Sequence, residues 1–120
     1  MLRIDHVQLA IPRGAEDLCR QFYVGLLGMA ERPKPPALAG RGGLWLQSGD
    51  VRLHLGVEDE FRPARKAHPA FAVIDLDRYD RFLLEAGHVP VWDDAIPDVR
   101  RFHVFDPVGN RIEFIQATAP

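Results

Sequence analysis

The feature that most constrains the fold of this chain is an internal repeat. An alternating strand pattern surrounds His6, and a second surrounds His68, which lies 68 − 6 = 62 residues further on. Each is followed by an amphipathic helix pattern and then by three more strand patterns. This period is typical of a duplicated supersecondary unit, because a solenoid needs three or more copies. The sequence therefore predicts an α+β fold of two tandem βαβββ modules, about residues 1–58 and 68–117.

The helix and turn signals of the first module fit this order. Residues 15–27 carry Leu18, Phe22 and Leu26 at helical spacing, and Gly28 is predicted to end the helix. Strands are predicted at about 4–11, 29–32, 43–47 and 51–57, the last two joined by a hairpin at Ser48-Gly49-Asp50.

The second module repeats these signals after a connector at 59–67. Asp75 is predicted as the N-cap of a helix that Gly87 ends. Strands are predicted at 68–74, 89–92, 101–105 and 110–117, the last two joined by the turn Asp106-Pro107-Val108-Gly109-Asn110.

Composition narrows the class of protein. A length of 120 residues predicts a single domain over 1–120, and a net charge of −2 gives no reason to expect nucleic acid or an anionic membrane as partner. No apolar run approaches the roughly 18 residues of a membrane span, and the start of the chain lacks a signal-peptide pattern. Cys19 is the only cysteine, so no intrachain disulfide forms and a cytoplasmic location is predicted. We expect Cys19 to be a packed core thiol.

Strand parity places four metal-ligand residue types opposite the bulky apolar side chains: His6, His54, His68 and Glu113. Imidazoles and a carboxylate that converge with open positions suit a divalent metal. A single strand histidine is more often exposed or hydrogen-bonded, but four such residues at equivalent places in a duplicated unit are harder to explain that way. On the pattern alone, both interpretations stay open.

Five further residues are predicted substrate contacts: Gln8, Trp45, Arg52, Arg111 and Arg65. Gln8 lies one step inward from His6, and the strand arginines share faces with the proposed ligands. Trp45 is expected either to line a cavity or to pack in the core. Arg65 belongs to a basic connector that is either a solvated loop or an anion clamp. His103 also has ligand-side parity, although an ordinary surface histidine is expected there.

Four motifs resemble the vicinal oxygen chelate superfamily, which includes glyoxalase I, bleomycin resistance proteins, fosfomycin resistance enzymes and extradiol dioxygenases. They are Asp5-His6-Val7, residues 22–29 (FYVGLLGM), His68-Pro69-Ala70-Phe71 and residues 105–113 (FDPVGNRIE), the last being the most specific. Together they span essentially the whole chain.

The resemblance implies that the two modules curve into a half-open barrel-like sheet around a cavity. It implies a divalent metal (Fe, Mn, Ni, Co or Zn) held by His6, His68, Glu113 and His54, with Glu113 and His54 also catalytic. A small substrate with vicinal oxygens and a homodimer are expected. The reaction would be of lyase, isomerase, thiol transferase or dioxygenase type.

His54 departs from the glyoxalase I pattern, which typically has a glutamate at this position. Imidazole can bind a metal, but it is a different base near neutral pH. The alternative function is a metal-free module of the bleomycin resistance kind that sequesters a small molecule.

Overall fold

The computed structural model describes residues 1–118, which divide after Ala64 into two compact units. The first unit contains β1 (Val7–Ile11), α1 (Glu16–Arg20), a π-helical segment (Gln21–Leu26), β2 (Ala30–Arg32), a 3-10 helix (Pro36–Arg41), β3 (Leu44–Ser48) and β4 (Val51–Val57). Its sheet has the order β1-β4-β3-β2, in which only the β1–β4 pair is parallel.

The second unit repeats this architecture. It contains β5 (Ala70–Val73), α2 (Leu76–Glu85), β6 (Val91–Asp93), β7 (Arg101–Phe105) and β8 (Arg111–Gln116). Its sheet has the order β5-β8-β7-β6, in which only the β5–β8 pair is parallel. The predicted α+β class with two βαβββ modules is confirmed; each sheet is four-stranded and does not close into a barrel by itself. The single domain over 1–120 stays a prediction.

Register shows which positions of the two modules correspond. In the first module Gln8 pairs with His54, and His54 also pairs with Trp45 on its other side. In the second module Glu113 pairs with Ala70 on one side and with His103 on the other. His54 and Glu113 therefore occupy the same place in the two sheets.

Each module has its own apolar core. Ile11, Leu53 and Leu55 of the first sheet are buried, and so are Ile112 and Phe114 of the second. These side chains alternate with the predicted ligands along their strands, since successive strand residues face opposite sides. Burial of one face leaves the other face of each sheet for polar side chains.

The first helix differs from the prediction. It changes after Arg20 from α-helix to π-helix, where the Leu27 amide donates to the Phe22 carbonyl at 2.9 Å. A π turn holds one more residue than an α turn, so the buried face shifts along the chain. Phe22 and Tyr23 are both buried, whereas Leu18 is 47% exposed and does not join the predicted stripe. Cys19 is fully buried, which confirms the expected core thiol.

The predicted helix ends and the predicted hairpin are confirmed at positions where a single residue determines the local backbone conformation. Gly28 ends the first helix with φ +77°, and the Asp75 side chain caps α2 by accepting from the Arg78 amide at 3.2 Å. Ser48 pairs with Val51 across the predicted hairpin. Among residues 1–118, no helix combines the length and the apolar character needed to span a membrane.

Gly43 fixes the entry of the 33–43 loop into β3. It has φ +84°, and a Cβ there would lie 2.1 Å from the Leu55 carbonyl oxygen. Its amide donates to the Glu16 carboxylate at 3.1 Å, which ties the loop to α1. The backbone at this point accepts only glycine.

Gly43→Ala should lower the free energy of unfolding by at least about 2 kcal/mol, because it adds left-handed strain and a clash with backbone. Gly40→Ala is the matched control, since a Cβ at Gly40 meets nothing within 4 Å. Urea denaturation of both variants measures the difference, and equal midpoints would contradict the expectation.

Candidate metal and substrate site

In the first module the polar face of the sheet carries a stack of three rings. The His54 ring lies between Trp45 and His6, with centroid distances of 4.2 Å and 4.1 Å and interplanar angles of 8° and 15°. The β3–β4 register brings Trp45 beside His54. His6 lies one residue before β1, not within the predicted strand. Strand parity predicted the common face, but not the stacking.

Asp5 lies between the His6 ring of this stack and the guanidinium group of Arg52. Its carboxylate lies 2.9 Å from His6 Nδ1 and 3.5 Å from an Arg52 guanidinium nitrogen. The hydrogen bond with His6, followed by the charge of Arg52, lowers the pKa of the Asp5 carboxyl. Sequence reasoning missed this role, although the dipeptide Asp5-His6 was a signal for it. With Nδ1 engaged, Nε2 is the nitrogen through which His6 can bind a ligand.

His54 is available as a neutral imidazole. Burial is the main cause that lowers its pKa, and the positive charges of His6 and Arg52 add to it, while Asp5 opposes them. A lowered pKa keeps the ring unprotonated near neutral pH. Neutral imidazole can accept a proton or coordinate a metal.

A cavity of about 480 Å³ opens over this face. It is lined by Asp5, His6, Gln8, Arg32, Leu38, Trp45, Leu46, Gln47, Arg52 and His54. Three of the five predicted substrate contacts are therefore brought together with two predicted ligands. Arg32 and Gln47 were missed; Arg32 pairs with Trp45 across β2 and β3, which sequence alone does not fix.

In the second module His68 and Glu113 are in direct contact. His68 Nε2 lies 3.0 Å from Glu113 Oε1, and His68 Nδ1 lies 2.7 Å from the Lys66 carbonyl oxygen. His68 precedes β5 by two residues, whereas the prediction placed it in the strand. Pro69, which follows it, has no amide to donate to a ladder. Glu113 is only 8% exposed, so its carboxylate depends on these contacts.

Arg101 holds the other side of the same carboxylate. One of its guanidinium nitrogens lies 3.7 Å from Glu113 Oε2, and another lies 2.9 Å from Asp93 Oδ2. Sequence reasoning assigned no role to Arg101 or Asp93. Strand parity could have placed both on the Glu113 face once the β6–β7 and β7–β8 registers were known.

His103 lies opposite Glu113 and is half-buried, so it is not the ordinary surface histidine expected. Burial, then the positive charges of Arg111 and His68, lower its pKa.

The last two predicted substrate contacts also belong to this module. The Arg65 guanidinium lies over the Phe105 ring at 5.3 Å. The Nε of Arg111 is buried without a hydrogen-bond acceptor among residues 1–118.

The donor set of each module fits a divalent metal. His68 Nε2 and Glu113 Oε1 are 3.0 Å apart, and two ligand atoms at right angles with metal bonds of about 2.1 Å would be about 3.0 Å apart. The first module supplies two imidazoles, His6 and His54, whose ring centroids lie 4.1 Å apart. Each module supplies a pair; residues 1–118 contain no group of three or more His, Cys, Asp and Glu side chains placed to hold one ion.

Trp45→Ala should raise the pKa of His54 toward its ordinary value, because loss of the indole admits water to a ring whose pKa is lowered mainly by burial. The His54 ring-proton signal in an NMR titration of metal-free protein measures this. Gln47→Ala, a change on the same strand and cavity wall, is the control. An unchanged His54 pKa in the Trp45 variant would show that the indole does not exclude water.

Comparison with known proteins places the chain in a family. No protein-family model and no curated protein matches it. Among solved structures, a glyoxalase family protein from Bacillus anthracis is 47% identical, with a TM-score of 0.93 and coverage of 98% of this chain and 97% of that one.

Two more distant structures share the fold. The fosfomycin resistance protein FosX from Listeria monocytogenes is 12% identical, with a TM-score of 0.78 and coverage of 98% and 95%. TnmS3, an antibiotic-binding protein from Streptomyces sp. CB03234, is 22% identical, with a TM-score of 0.73 and coverage of 98% and 100%. The identity to the Bacillus anthracis protein over nearly the full length of both chains shows that this chain belongs to the glyoxalase family of the vicinal oxygen chelate superfamily.

Proposed function

We propose that this protein is a divalent-metal-dependent enzyme that acts on a small substrate with vicinal oxygens. One repeated observation carries the proposal. In both modules the histidine before the first strand has Nδ1 bonded to an oxygen, the Asp5 carboxylate for His6 and the Lys66 carbonyl for His68. Metal-binding histidines typically have such a partner on the second nitrogen, because it fixes the tautomer and orients the ring. Nε2 then remains for the metal.

The proposed ligands are His6, His68 and Glu113, with His54 as a fourth ligand or as the acid/base. Mixed nitrogen and carboxylate donors suit Fe, Mn, Ni, Co or Zn. When bound, such an ion supplies Lewis-acid chemistry that stabilises negative charge on the substrate oxygens.

The chain's own residues divide the remaining work. His54, kept neutral by its lowered pKa, can take a substrate proton, and the Glu113 carboxylate is the second proposed acid/base group. Gln8 and Trp45 would contact the body of the substrate in the cavity of the first module. The arginines Arg52, Arg111 and Arg65 supply positive charge for an anionic group on the substrate.

The metal-free alternative rests on a different observation. The three-ring stack and the 480 Å³ cavity lie within the first module and consist of its own side chains. TnmS3, which has the same fold, is an antibiotic-binding protein. A sequestering module would use this cavity for a bulky small molecule. Metal analysis of protein purified without a histidine tag separates the two functions.

The assembly and location belong to the same proposal. We expect a homodimer, since each module has an open four-stranded sheet with edge strands available for pairing. We also propose a cytoplasmic location, because a single cysteine cannot form an intrachain disulfide. No role in nucleic-acid or membrane binding is proposed.

We expect one divalent ion per complete ligand set, with affinity that depends on His6, His68 and Glu113 more than on His54. Loss of one ligand from three leaves weak chelation, whereas water can replace a fourth. Calorimetry with Mn²⁺, Ni²⁺ and Zn²⁺ on single alanine variants measures this. An equal loss at His54 would make it a full ligand, and no binding by the parent would favour the sequestering module.

Glyoxalase turnover should be weak or absent, because His54 stands where glyoxalase I enzymes typically have a glutamate. His54→Glu should raise the rate of lactoylglutathione formation, measured with methylglyoxal and glutathione. Gln47→Glu, which adds a carboxylate elsewhere in the cavity wall, is the control. Strong turnover by the parent protein would refute the expectation.

The predicted homodimer is tested by light scattering across micromolar concentrations. A dimer of the 13.5 kDa chain is expected. A constant monomer mass over this range would exclude the assembly.

A further inference from the structure

We propose that Arg101 is a positioning residue that orients the Glu113 carboxylate for metal binding, and that Asp93 holds Arg101 for this purpose. The inference rests on the proposed role of Glu113 as a metal ligand. It adds two residues that neither touch the metal nor belong to the predicted site.

The two oxygens of Glu113 have different partners. Oε1 lies 3.0 Å from His68 Nε2, and Oε2 lies 3.7 Å from an Arg101 guanidinium nitrogen. The Glu113 side chain is only 10% exposed, so water competes weakly for either oxygen. With Oε2 facing the guanidinium, Oε1 is the oxygen left beside the histidine nitrogen. The carboxylate is thus held in the rotamer that joins His68 and Glu113 into one donor pair.

Asp93 balances the positive charge of Arg101 beside the proposed metal ligand. A second Arg101 nitrogen lies 2.9 Å from Asp93 Oδ2, and the Arg101 side chain is 22% exposed. A positive charge beside a metal ligand would by itself repel a divalent ion. Its pairing with Asp93 cancels most of that charge at longer range while leaving the guanidinium directed at Glu113. The planar fork of arginine suits contact with two carboxylates at once.

The first module provides an internal comparison. Trp45 corresponds to His103, because each pairs with the ligand-type residue of its last strand. Two residues earlier in each module lie Gly43 and Arg101. The first module, which has His54 at the ligand position, has a glycine at this place. The second module, which has Glu113, has an arginine. The backbone at Gly43 accepts only glycine, so the first module forms its sheet without an arginine at this place, and Arg101 is not a general requirement of the fold.

The competing explanation is an ion pair that only stabilises β6 against β7. Arg100 offers a matched control for it. Arg100 is the neighbouring residue, pairs with Asp77 at 2.8 Å and lies over the Trp92 ring at 5.2 Å, with no contact to Glu113. Removal of Arg100 deletes an ion pair that does not involve Glu113, whereas removal of Arg101 deletes its pairs with Asp93 and with the proposed ligand Glu113.

The test measures metal affinity by calorimetry, with Mn²⁺, Ni²⁺ and Zn²⁺ as probes, on the full chain without a tag. Arg101→Met should weaken binding by about 10-fold or more, the usual effect of losing an outer partner of a ligand. Arg100→Met should stay within about twofold, because its ion pair is exposed. Arg101→Lys should restore part of the affinity, and Asp93→Asn should weaken it because the uncompensated guanidinium repels the ion. The two conservative variants keep the test valid if Arg101→Met fails to fold.

A double-mutant comparison separates orientation from stability. Glu113→Asp keeps a carboxylate but withdraws it from Arg101, so Arg101→Met should cost less than about threefold in that background. An undiminished loss there would show that Arg101 acts through the fold and would overturn the inference. Equal metal affinities of the Arg101→Met and parent proteins would overturn this inference and leave the proposed function intact. A parent protein that binds none of the three ions would overturn both this inference and the proposed function.

Discussion

In each module the last strand lies between the first strand, to which it is parallel, and the preceding hairpin strand, to which it is antiparallel. This strand carries one proposed ligand in each module and pairs with the strand that follows the other. On β4, His54 lies between its partners Gln8 and Trp45. On β8, Glu113 lies between its partners Ala70 and His103. Its alternate side chains, such as Leu53 and Ile112, are fully buried. The core thus fixes the register, and the register presents the polar groups.

The same backbone arrangement supports two different chemistries. In the first module the His54 ring is stacked between Trp45 and His6, and burial lowers the His54 pKa. In the second, a histidine and an arginine contact a buried carboxylate from two sides. One half is suited to a neutral base beside a cavity, and the other to an anionic ligand for a cation. The two modules differ at these polar positions while they share the same strand order.

Much of the fold was predictable because it depends on local patterns. The 62-residue repeat, the hairpin at Gly49, the helix end at Gly28 and the N-cap at Asp75 each follow from the conformational preference of nearby residues. The common face of His54 and Arg52 followed from the two-residue period of a strand. These signals need no knowledge of which strands pair.

The remaining features depend on pairing, which no local pattern shows. The Arg101–Glu113 contact requires the β7–β8 register, and that register is set by a five-residue turn in which the Asp106 carboxylate accepts from the amides of Val108 and Asn110. The ring stack requires the β3–β4 register in the same way. The π-helical segment Gln21–Leu26 buries both Phe22 and Tyr23, whereas Leu18 of the preceding α1 is exposed. The predicted strands also begin before the true starts of β1 and β5, so they include His6 and His68, which in the structure precede those strands by one and two residues.

The separation of the two faces of β4 has an evolutionary consequence. Changes at Leu53 and Leu55 would alter the core, whereas changes at Arg52 and His54 would alter the wall of the cavity, and the two sets of positions alternate along one strand. A new specificity can therefore be acquired one residue at a time, without a compensating change in the core. A lineage with this architecture can change its substrate more readily than its shape.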